Sequence, residues 1–132
     1  MIVLCSIITF GLGAFFYALI EILWRGYTHW SMMLAGGLCF LSFSKIAENR
    51  SRPLWKKCII GSIAVTGIEF VFGLVFNIIL NKQVWDYSDR PFNLFGQVCL
   101  LFSLYWGLLG IVGIPVAGKV RKTLKRKSIR ID

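Results

Sequence analysis

Hydrophobic residues in this chain gather into four long runs that polar residues seldom interrupt. The runs cover about residues 2–23, 30–47, 58–80 and 97–118. A helix needs roughly 20 predominantly apolar residues to cross a hydrocarbon core, and the runs lack the strict alternation that the wall of a membrane barrel requires. The pattern therefore predicts an all-α, polytopic membrane protein with four transmembrane helices.

The first run has an alternative interpretation as a cleaved signal peptide. No Lys or Arg precedes it, however, and its apolar stretch is longer than the usual hydrophobic region of a signal peptide. We therefore expect the first run to be a transmembrane helix.

Basic residues are distributed unevenly among the segments that flank the runs. Of the 15 Lys and Arg residues, five lie at the end of the second run or between it and the third, and seven follow the fourth, whereas the other two connections carry one and two. Basic segments tend to stay on the cytoplasmic side of a membrane. The bias predicts that both termini are cytoplasmic, with a four-helix transmembrane domain at 1–118 and a basic cytoplasmic tail at 119–132.

The polybasic tail, KVRKTLKRKSIRID, suits two kinds of partner. Clustered Lys and Arg neutralise the phosphates of nucleic acids, and juxtamembrane basic segments are attracted to anionic lipid. No nucleic-acid recognition fold accompanies the charge, so we expect membrane lipid and no nucleic acid as a partner. The basic connection at 45–57 is a candidate docking surface for a separate cytoplasmic partner.

The residues that most often bind metals show no suitable spacing. Cys5, Cys39, Cys58 and Cys99 form no CxxC pair and fall at different expected depths, and His29 has no neighbour at metal-ligand spacing. Buried cysteine usually behaves as a small hydrophobic residue. We expect neither a disulfide nor a metal site, and no cofactor.

Polar and small residues inside the runs recur at helical spacing. In the third run they step by four, three, four and four residues and so share one helix face; they are Ser62, Thr66, Glu69, Gly73 and Asn77. The first run has Ser6, Gly13, Tyr17 and Glu21, and the fourth has Gly96, Cys99, Ser103, Trp106 or Gly107, and Gly110. Small residues let helices pack closely and polar ones bond between helices, so we expect the three faces to meet inside the bundle.

Two acidic residues lie within the predicted helices. Glu69 is about 11 residues, or roughly 16 Å, from either end of its run, so its carboxyl group must be protonated, hydrogen-bonded, paired or hydrated. That depth indicates a functional residue, with a structural acid as the alternative. Glu21 lies near a helix end and either serves the same site or forms an i,i+4 pair with Arg25. Ideal helices place Glu21 and Glu69 more than about 10 Å apart along the membrane normal.

The segment WDYSDRPFNL, residues 85–94, is unusually polar and aromatic for this chain. Its Trp and Tyr suit an interfacial aromatic belt, and Asp89 shortly before Pro91 predicts a helix N-cap with proline in the first turn. The other polar residues lead into the mouth of the bundle; they are Asp86, Arg90, Asn93 and Gln97. We expect them to form a lid or collar over an outward-facing cavity.

Three stretches resemble a known family, with a similarity that covers most of residues 14–112; they are ALIEILWRG, GIEFVFGLVFN and WDYSDRPFNLFGQVCLLFSLYWGLLG. They are similar to the bacterial family of putative ABC-transporter type IV (CmpB-like) permeases, most specifically in the ordered series WDYS, PFN, G-Q-x-C-L and FS-x-x-WG. The resemblance maps recurrent family positions onto Glu21, Glu69, Gly73, Trp85, Asp86, Tyr87, Ser88, Pro91, Asn93, Gly96, Cys99, Ser103, Trp106 and Gly107.

The resemblance to a bacterial family implies a multi-pass integral membrane protein of the bacterial cytoplasmic (cell) membrane that is concerned with transport. A transporter driven by ATP needs a P-loop, and the sequence contains no G-x-x-x-x-G-K-[ST] motif. Any ATPase would therefore be a separate chain.

The leading hypothesis is a permease or transport-related protein that binds a small cationic or amphipathic solute in an outward-facing polar cavity. An acid offers charge complementarity and can exchange a proton for solute, and aromatic rings offer cation–π faces. The candidate ligand-binding residues are Glu69, Glu21, Tyr17, Asn77, Trp85, Asp86, Tyr87, Arg90, Asn93, Gln97, Ser103 and Trp106. Because four short helices leave little room for a conduit, we expect a homodimer.

Two other classes of function stay open. An intramembrane enzyme acting on a lipid or lipid-linked substrate would use Glu69, Glu21 or Asp86 as acid or base. The sequence has no HExxH motif and no recognisable Ser-His-Asp arrangement, so a protein that is not an enzyme is the favoured interpretation. A non-catalytic accessory or sensor subunit would use the basic connection and tail as docking surfaces.

Overall fold

A computed structural model describes the backbone of residues 2–131 and the side chains of residues 3–127. Its elements in chain order are α1 (Ile2–Arg25), α2 (Trp30–Ala47), α3 (Leu54–Phe72), a π-helix (Gly73–Ile79), β1 (Asn93–Leu94), β2 (Val98–Cys99) and α4 (Leu100–Ile131). The π-helix continues α3 without a break. Among the residues that the structure describes, four helices are long and apolar enough to span a membrane, which confirms the all-α prediction of a polytopic membrane protein.

The ends of the third and fourth helices differ from the predicted ones. Helix α3 begins at Leu54, directly after an extended Pro53. Its first turn contains Lys56 and Lys57, so the apolar run starts only after that turn. Helix α4 begins only at Leu100 and continues past 118 into the basic segment. Lys and Arg are good helix formers, so the charge change ends the apolar run but not the helix. Within the predicted tail 119–132, the side chains of 128–132 lie outside the described residues.

The predicted helix start at Asp89 is wrong. Residues 88–92 are turns and a bend, and the backbone N–H of Arg90 donates to Tyr87 O at 2.9 Å. The chain then makes a two-stranded antiparallel hairpin with Asn93 opposite Cys99. The hairpin uses residues 97–99, which the apolar run had assigned to the fourth helix.

The core lies where α2, α3 and α4 meet. Its buried side chains are Cys39, Phe43, Cys58, Val65, Ile114 and Ala117. Helix α1 packs mainly on α2, where Gly36 faces the Tyr17 ring so closely that a Cβ at Gly36 would overlap it. Large apolar side chains on the outward faces, such as Leu23, Ile63 and Leu108, are mostly exposed. Such faces are suited to contact with lipid acyl chains.

The polar face of α3 points into the bundle, as predicted from its spacing. The Ser62 hydroxyl donates to Ser103 O, and the hydroxyls of Thr66 and Ser103 lie 2.7 Å apart. Farther along the same face, Glu69 and Asn77 bond to residues 106 and 97. These bonds satisfy polar groups that acyl chains would leave without partners.

The two ends of the bundle differ in chemistry. The polar end carries the α1–α2 connection and the segment 80–99. The guanidinium of Arg25, the last residue of α1, donates to Val84 O of that segment. The basic end carries the α2–α3 connection and the C-terminal part of α4, which are joined through Glu48 and Arg121. The polar end holds the candidate site.

Candidate functional site

A cavity of about 690 Å³ opens at the polar end of the bundle. Its wall comes from the end of α1, the π-helix, the segment 80–99 and the start of α4. The lining residues are Arg25, Tyr27, Asn77, Asn81, Gln83, Val84, Trp85, Asp86, Tyr87, Asp89, Arg90, Gln97 and Phe102. Amide, acidic, basic and aromatic side chains thus share one space, which can offer hydrogen bonds, charge and ring faces to a small molecule.

Two side-chain amides, those of Asn77 and Gln97, are linked at the inner side of this cavity. Asn77 Nδ2 donates to Gln97 Oε1 at 2.8 Å, and Gln97 Nε2 donates to Phe95 O at 2.8 Å. Asn77 Oδ1 accepts the backbone N–H of Val84 at 2.7 Å, and the Trp85 indole donates to Gln97 O at 2.8 Å. The pair therefore ties the π-helix to both arms of the segment 80–99.

The position of Gln97 depends on the missing side chain at Gly73. A Cβ at Gly73 would lie 2.5 Å from Gln97 Oε1 and 2.8 Å from Gln97 Cβ, closer than non-bonded atoms approach. Gly73 is also the first residue of the π-helix. π-Helical turns within α-helices are frequent at functional sites, and this one carries Asn77 to the cavity.

A buried carboxyl group lies deeper in the bundle, on the same helix face. Glu69 is 8% exposed and accepts a hydrogen bond from the Trp106 indole, Nε1 to Oε1, at 2.7 Å. The Trp106 ring stacks on Tyr17 of α1, with ring centroids 6.0 Å apart. Glu69 is one helical turn from Gly73, the residue against which Gln97 packs. Along the helix axis, Glu69 is about 12 Å from Asn77.

The cavity rim is charged. Arg25 Nε donates to Glu21 Oε2 at 2.6 Å, and its guanidinium lies 4.8 Å from the Tyr27 ring centroid. Its Nη2 is buried with no hydrogen-bond partner among the described residues. The i,i+4 pair expected for Glu21 therefore forms, but half-buried at the cavity edge rather than on an exposed surface.

The acidic rim residues belong to the segment 80–99. Asp86 accepts the backbone N–H of Ser88 at 2.9 Å, and the hydrogen bonds from Ser88 lower the pKa of Asp86 below its ordinary value, so it is ionised at neutral pH. Asp89 is exposed beside it. Arg90, also exposed, places its guanidinium 5.5 Å from the Phe102 ring centroid.

Tyr87 connects the segment to the hairpin. Its backbone N–H donates to Gly96 O at 2.8 Å, and its ring stacks on Phe102 with centroids 4.8 Å apart. Burial raises the pKa of Tyr87 above its ordinary value, so the phenol remains a protonated donor. Gly96 has φ +71°, a left-handed conformation that favours glycine.

The structure distributes the predicted site residues over four places. Those that line the cavity are Asn77, Trp85, Asp86, Tyr87, Arg90 and Gln97. Those in the bundle interior are Glu69, Trp106, Tyr17 and Ser103, and Glu21 lies at the cavity edge with Arg25. Asn93 instead holds the turn together, because its amide donates to Arg90 O at 2.8 Å and accepts from Gly96 N at 3.0 Å.

Several cavity residues were not among the predicted site residues. They are Arg25, Tyr27, Asn81, Gln83, Val84, Asp89 and Phe102. Asn81 and Gln83 adopt left-handed backbone conformations, with φ of 53° and 50°, and sequence spacing carries no signal for such turns in residues other than glycine. Arg25 could have been included, because its helix end lies at the same depth as the segment 80–99.

Comparison with known proteins identifies one family. The family model described as "Putative ABC-transporter type IV" matches residues 1–130. No curated protein and no solved structure gives a match. The family match therefore extends beyond the stretches at 14–112 on which the resemblance was recognised.

Proposed function

The chain belongs to the family of putative ABC-transporters of type IV, and on this premise we propose that it is a permease. In this proposal it lies in the bacterial cytoplasmic membrane and binds a small cationic or amphipathic solute in the polar-end cavity. Basic segments favour the cytoplasm, so the basic end faces inward and the cavity faces outward. Solute enters from the polar end and travels toward Glu69.

One observation carries the proposal: a mixed polar cavity stands over a buried carboxyl group on the same helix face. Asn77 and Gln97 close the inner side of the cavity, and Gln97 packs against Gly73, one turn from Glu69. Intramembrane acids line ion and proton pathways in many membrane proteins. Movement of Gln97 away from Gly73 would open the cavity toward Glu69, and exchange of a proton on Glu69 would drive the step.

The charges favour a cationic solute. Glu21 neutralises Arg25, so the remaining charged groups of the cavity lining are the acids Asp86 and Asp89 and the base Arg90. Trp85 and the phenol rings add faces that attract cations. An aromatic or amphipathic cation is complementary both to the excess of acidic groups and to the aromatic rings of the cavity.

Two partners complete the proposal. A homodimer would provide a conduit that four helices of one chain are too few to enclose. An ATPase would be a separate chain, since the sequence has no P-loop. In this proposal it docks on exposed basic residues of the connection 45–57, among them Arg52 and Lys56.

The cavity is tested by binding of tetraphenylphosphonium, an aromatic cation, to purified protein in nanodiscs by calorimetry against empty nanodiscs. We expect saturable binding that Asp86→Asn combined with Asp89→Asn weakens about tenfold, or ~1.4 kcal/mol. Glu48→Gln is the matched control, because it removes an acid at the opposite end and should leave the affinity unchanged. Parental affinity in the double variant would contradict the assignment of the cavity.

A further inference from the structure

A second cavity, of about 920 Å³, lies at the basic end between the α2–α3 connection and α4. Its basic lining residues are Arg50, Lys57, Lys119, Arg121, Lys122, Lys125 and Arg126, and its acidic one is Glu48. The cavity wall also includes the apolar side chains of Leu54, Ile114 and Pro115. It is thus strongly cationic and partly apolar.

The one acid in the cavity lining is already paired with two of the basic residues. Glu48 Oε1 accepts hydrogen bonds from Arg121 Nε and from Lys125 Nζ, each at 2.6 Å. Lys57 donates to Ala47 O at 3.2 Å, which holds the α2–α3 connection against α3. The positive charge of the other basic residues of the lining has no acidic counterpart within this cavity.

Arg121 is the residue that points to a ligand. It is 7% exposed, yet its Nη1 is buried with no hydrogen-bond partner among the described residues. A buried guanidinium N–H without an acceptor is costly. An anionic oxygen in the cavity would accept from it, and Arg is well suited to bind phosphate because several of its N–H groups donate in one plane.

We infer that this cavity is a binding site for a phosphate group, with Arg121 as its anchor and Lys122 and Arg126 as its charged rim. The apolar wall suits a phosphate carried by an amphiphile, and the cavity lies at the end of a membrane-spanning bundle. An anionic phospholipid headgroup and a soluble phosphate share this chemistry. The site is separate from the polar-end cavity and does not depend on the proposed transport function.

The test is the thermal unfolding of the detergent-purified full chain titrated with three probes: short-chain phosphatidylglycerol, short-chain phosphatidylcholine and inorganic phosphate. We expect phosphatidylglycerol to raise the Tm by several degrees and phosphatidylcholine to have little effect, because ligand that binds only the folded state stabilises it. Lys122→Gln combined with Arg126→Gln should reduce that shift by more than half. This variant keeps the pairs of Glu48 with Arg121 and Lys125, so it is expected to fold.

Arg52→Gln combined with Lys56→Gln is the matched control, since it removes the same charge from basic-end residues that do not line the cavity. An equal loss in the control would show diffuse attraction to a basic surface and overturn the site. A shift with inorganic phosphate equal to that with phosphatidylglycerol supports the site with a soluble source. No shift with either phosphatidylglycerol or inorganic phosphate would overturn it.

Discussion

Glu69 is the residue on which the proposed function depends. Its carboxyl group is buried between α3 and α4, and its hydrogen bond from the Trp106 indole links it to the Tyr17 ring on α1. Three helices thus contribute to the environment of one acid. A change in the protonation of Glu69 would alter contacts that involve all three helices. In the proposed function, this is how proton binding is coupled to a conformational change.

Gly73 is a residue at which the site can be tested without changing any charge. Gly73→Leu places side-chain atoms where Gln97 lies, so we expect it to break the Asn77–Gln97 bond and to destabilise the protein by roughly 1–3 kcal/mol, the usual cost of overpacking. Phe72→Leu, at the adjacent position, should cost less because its side chain becomes smaller. The measurement is the Tm of each variant in nanodiscs. Equal Tm values would show that the close contact with Gln97 is not required.

At the residue scale the sequence predicts how deep a side chain lies in the membrane and which helix face carries it, but not its hydrogen-bond partners. The spacing of Thr66, Glu69 and Asn77 is sufficient to place them on the inward face, and their contacts confirm this. The hydrogen bond from Trp106 to Glu69 depends on how α4 is rotated relative to α3. The periodicity of one helix carries no information about that rotation. The same reason explains why Trp106 and Gly107 stayed alternatives for the inward position.

At the scale of elements, the segment 80–99 departs most from its prediction. The hydrophobic pattern has the period of an α-helix in both flanking runs, and it gives no signal for a π-helix or for a two-residue strand. Hydrogen bonds between Asp or Asn side chains and the nearby backbone determine the local structure instead. Asp86 and Asn93 both form such bonds with backbone groups within a few residues. These local bonds stop Asp89 from starting a helix.

The attachment of α4 to the α2–α3 connection predicts a pH dependence. Hydrogen bonds from Lys125 and Arg121 hold the pKa of Glu48 below its ordinary value. A group with a lowered folded-state pKa adds stability above its unfolded pKa and loses it as the pH falls through the folded value. We therefore expect the parent to be more stable than Glu48→Gln at pH 7 and this difference to shrink below about pH 4.3.

The effect on stability should be small, because the Glu48 side chain is 43% exposed and solvent screens its charge. The measurement is the Tm of both proteins from pH 7 to pH 3. A difference in Tm that stays constant across this range would show that the ion pairs of Glu48 contribute nothing to holding the connection against α4.

At the scale of the whole molecule, four spans place the two connections of the polar end on one side of the membrane and the α2–α3 connection on the other. The positive-inside bias predicts that the basic end is cytoplasmic. Cysteine at Asp89 should then react with an impermeant maleimide in intact cells, and cysteine at Ser51 only after permeabilisation. The native cysteines are buried, so background labelling should be low; the reverse pattern would place the cavity on the cytoplasmic side.

The family and the four-helix architecture could be recognised from the sequence because both depend on patterns that extend over many residues. A few residues with an irregular local structure do not change such patterns. The cavity could be anticipated only as a polar collar at one end of the bundle. Its actual wall needs Arg25 from α1 and Phe102 from α4 beside the segment 80–99, and these meet only through tertiary packing. The basic-end cavity was not foreseen, since it requires α4 to continue as a helix beyond the apolar run.

The central claim is that a titratable Glu69 beneath the polar-end cavity supports movement of solute across the membrane. Ethidium, an aromatic cation, provides the probe: its flux into proteoliposomes with matched protein content is followed by fluorescence under imposed pH gradients. We expect the parent to show flux that depends on the gradient. Glu69→Gln should remain folded and inserted but lose that flux, while Asp86→Asn and Glu21→Gln should weaken it less. Gradient-dependent flux in Glu69→Gln equal to that of the parent would contradict the claim and leave Glu69 as a structural acid.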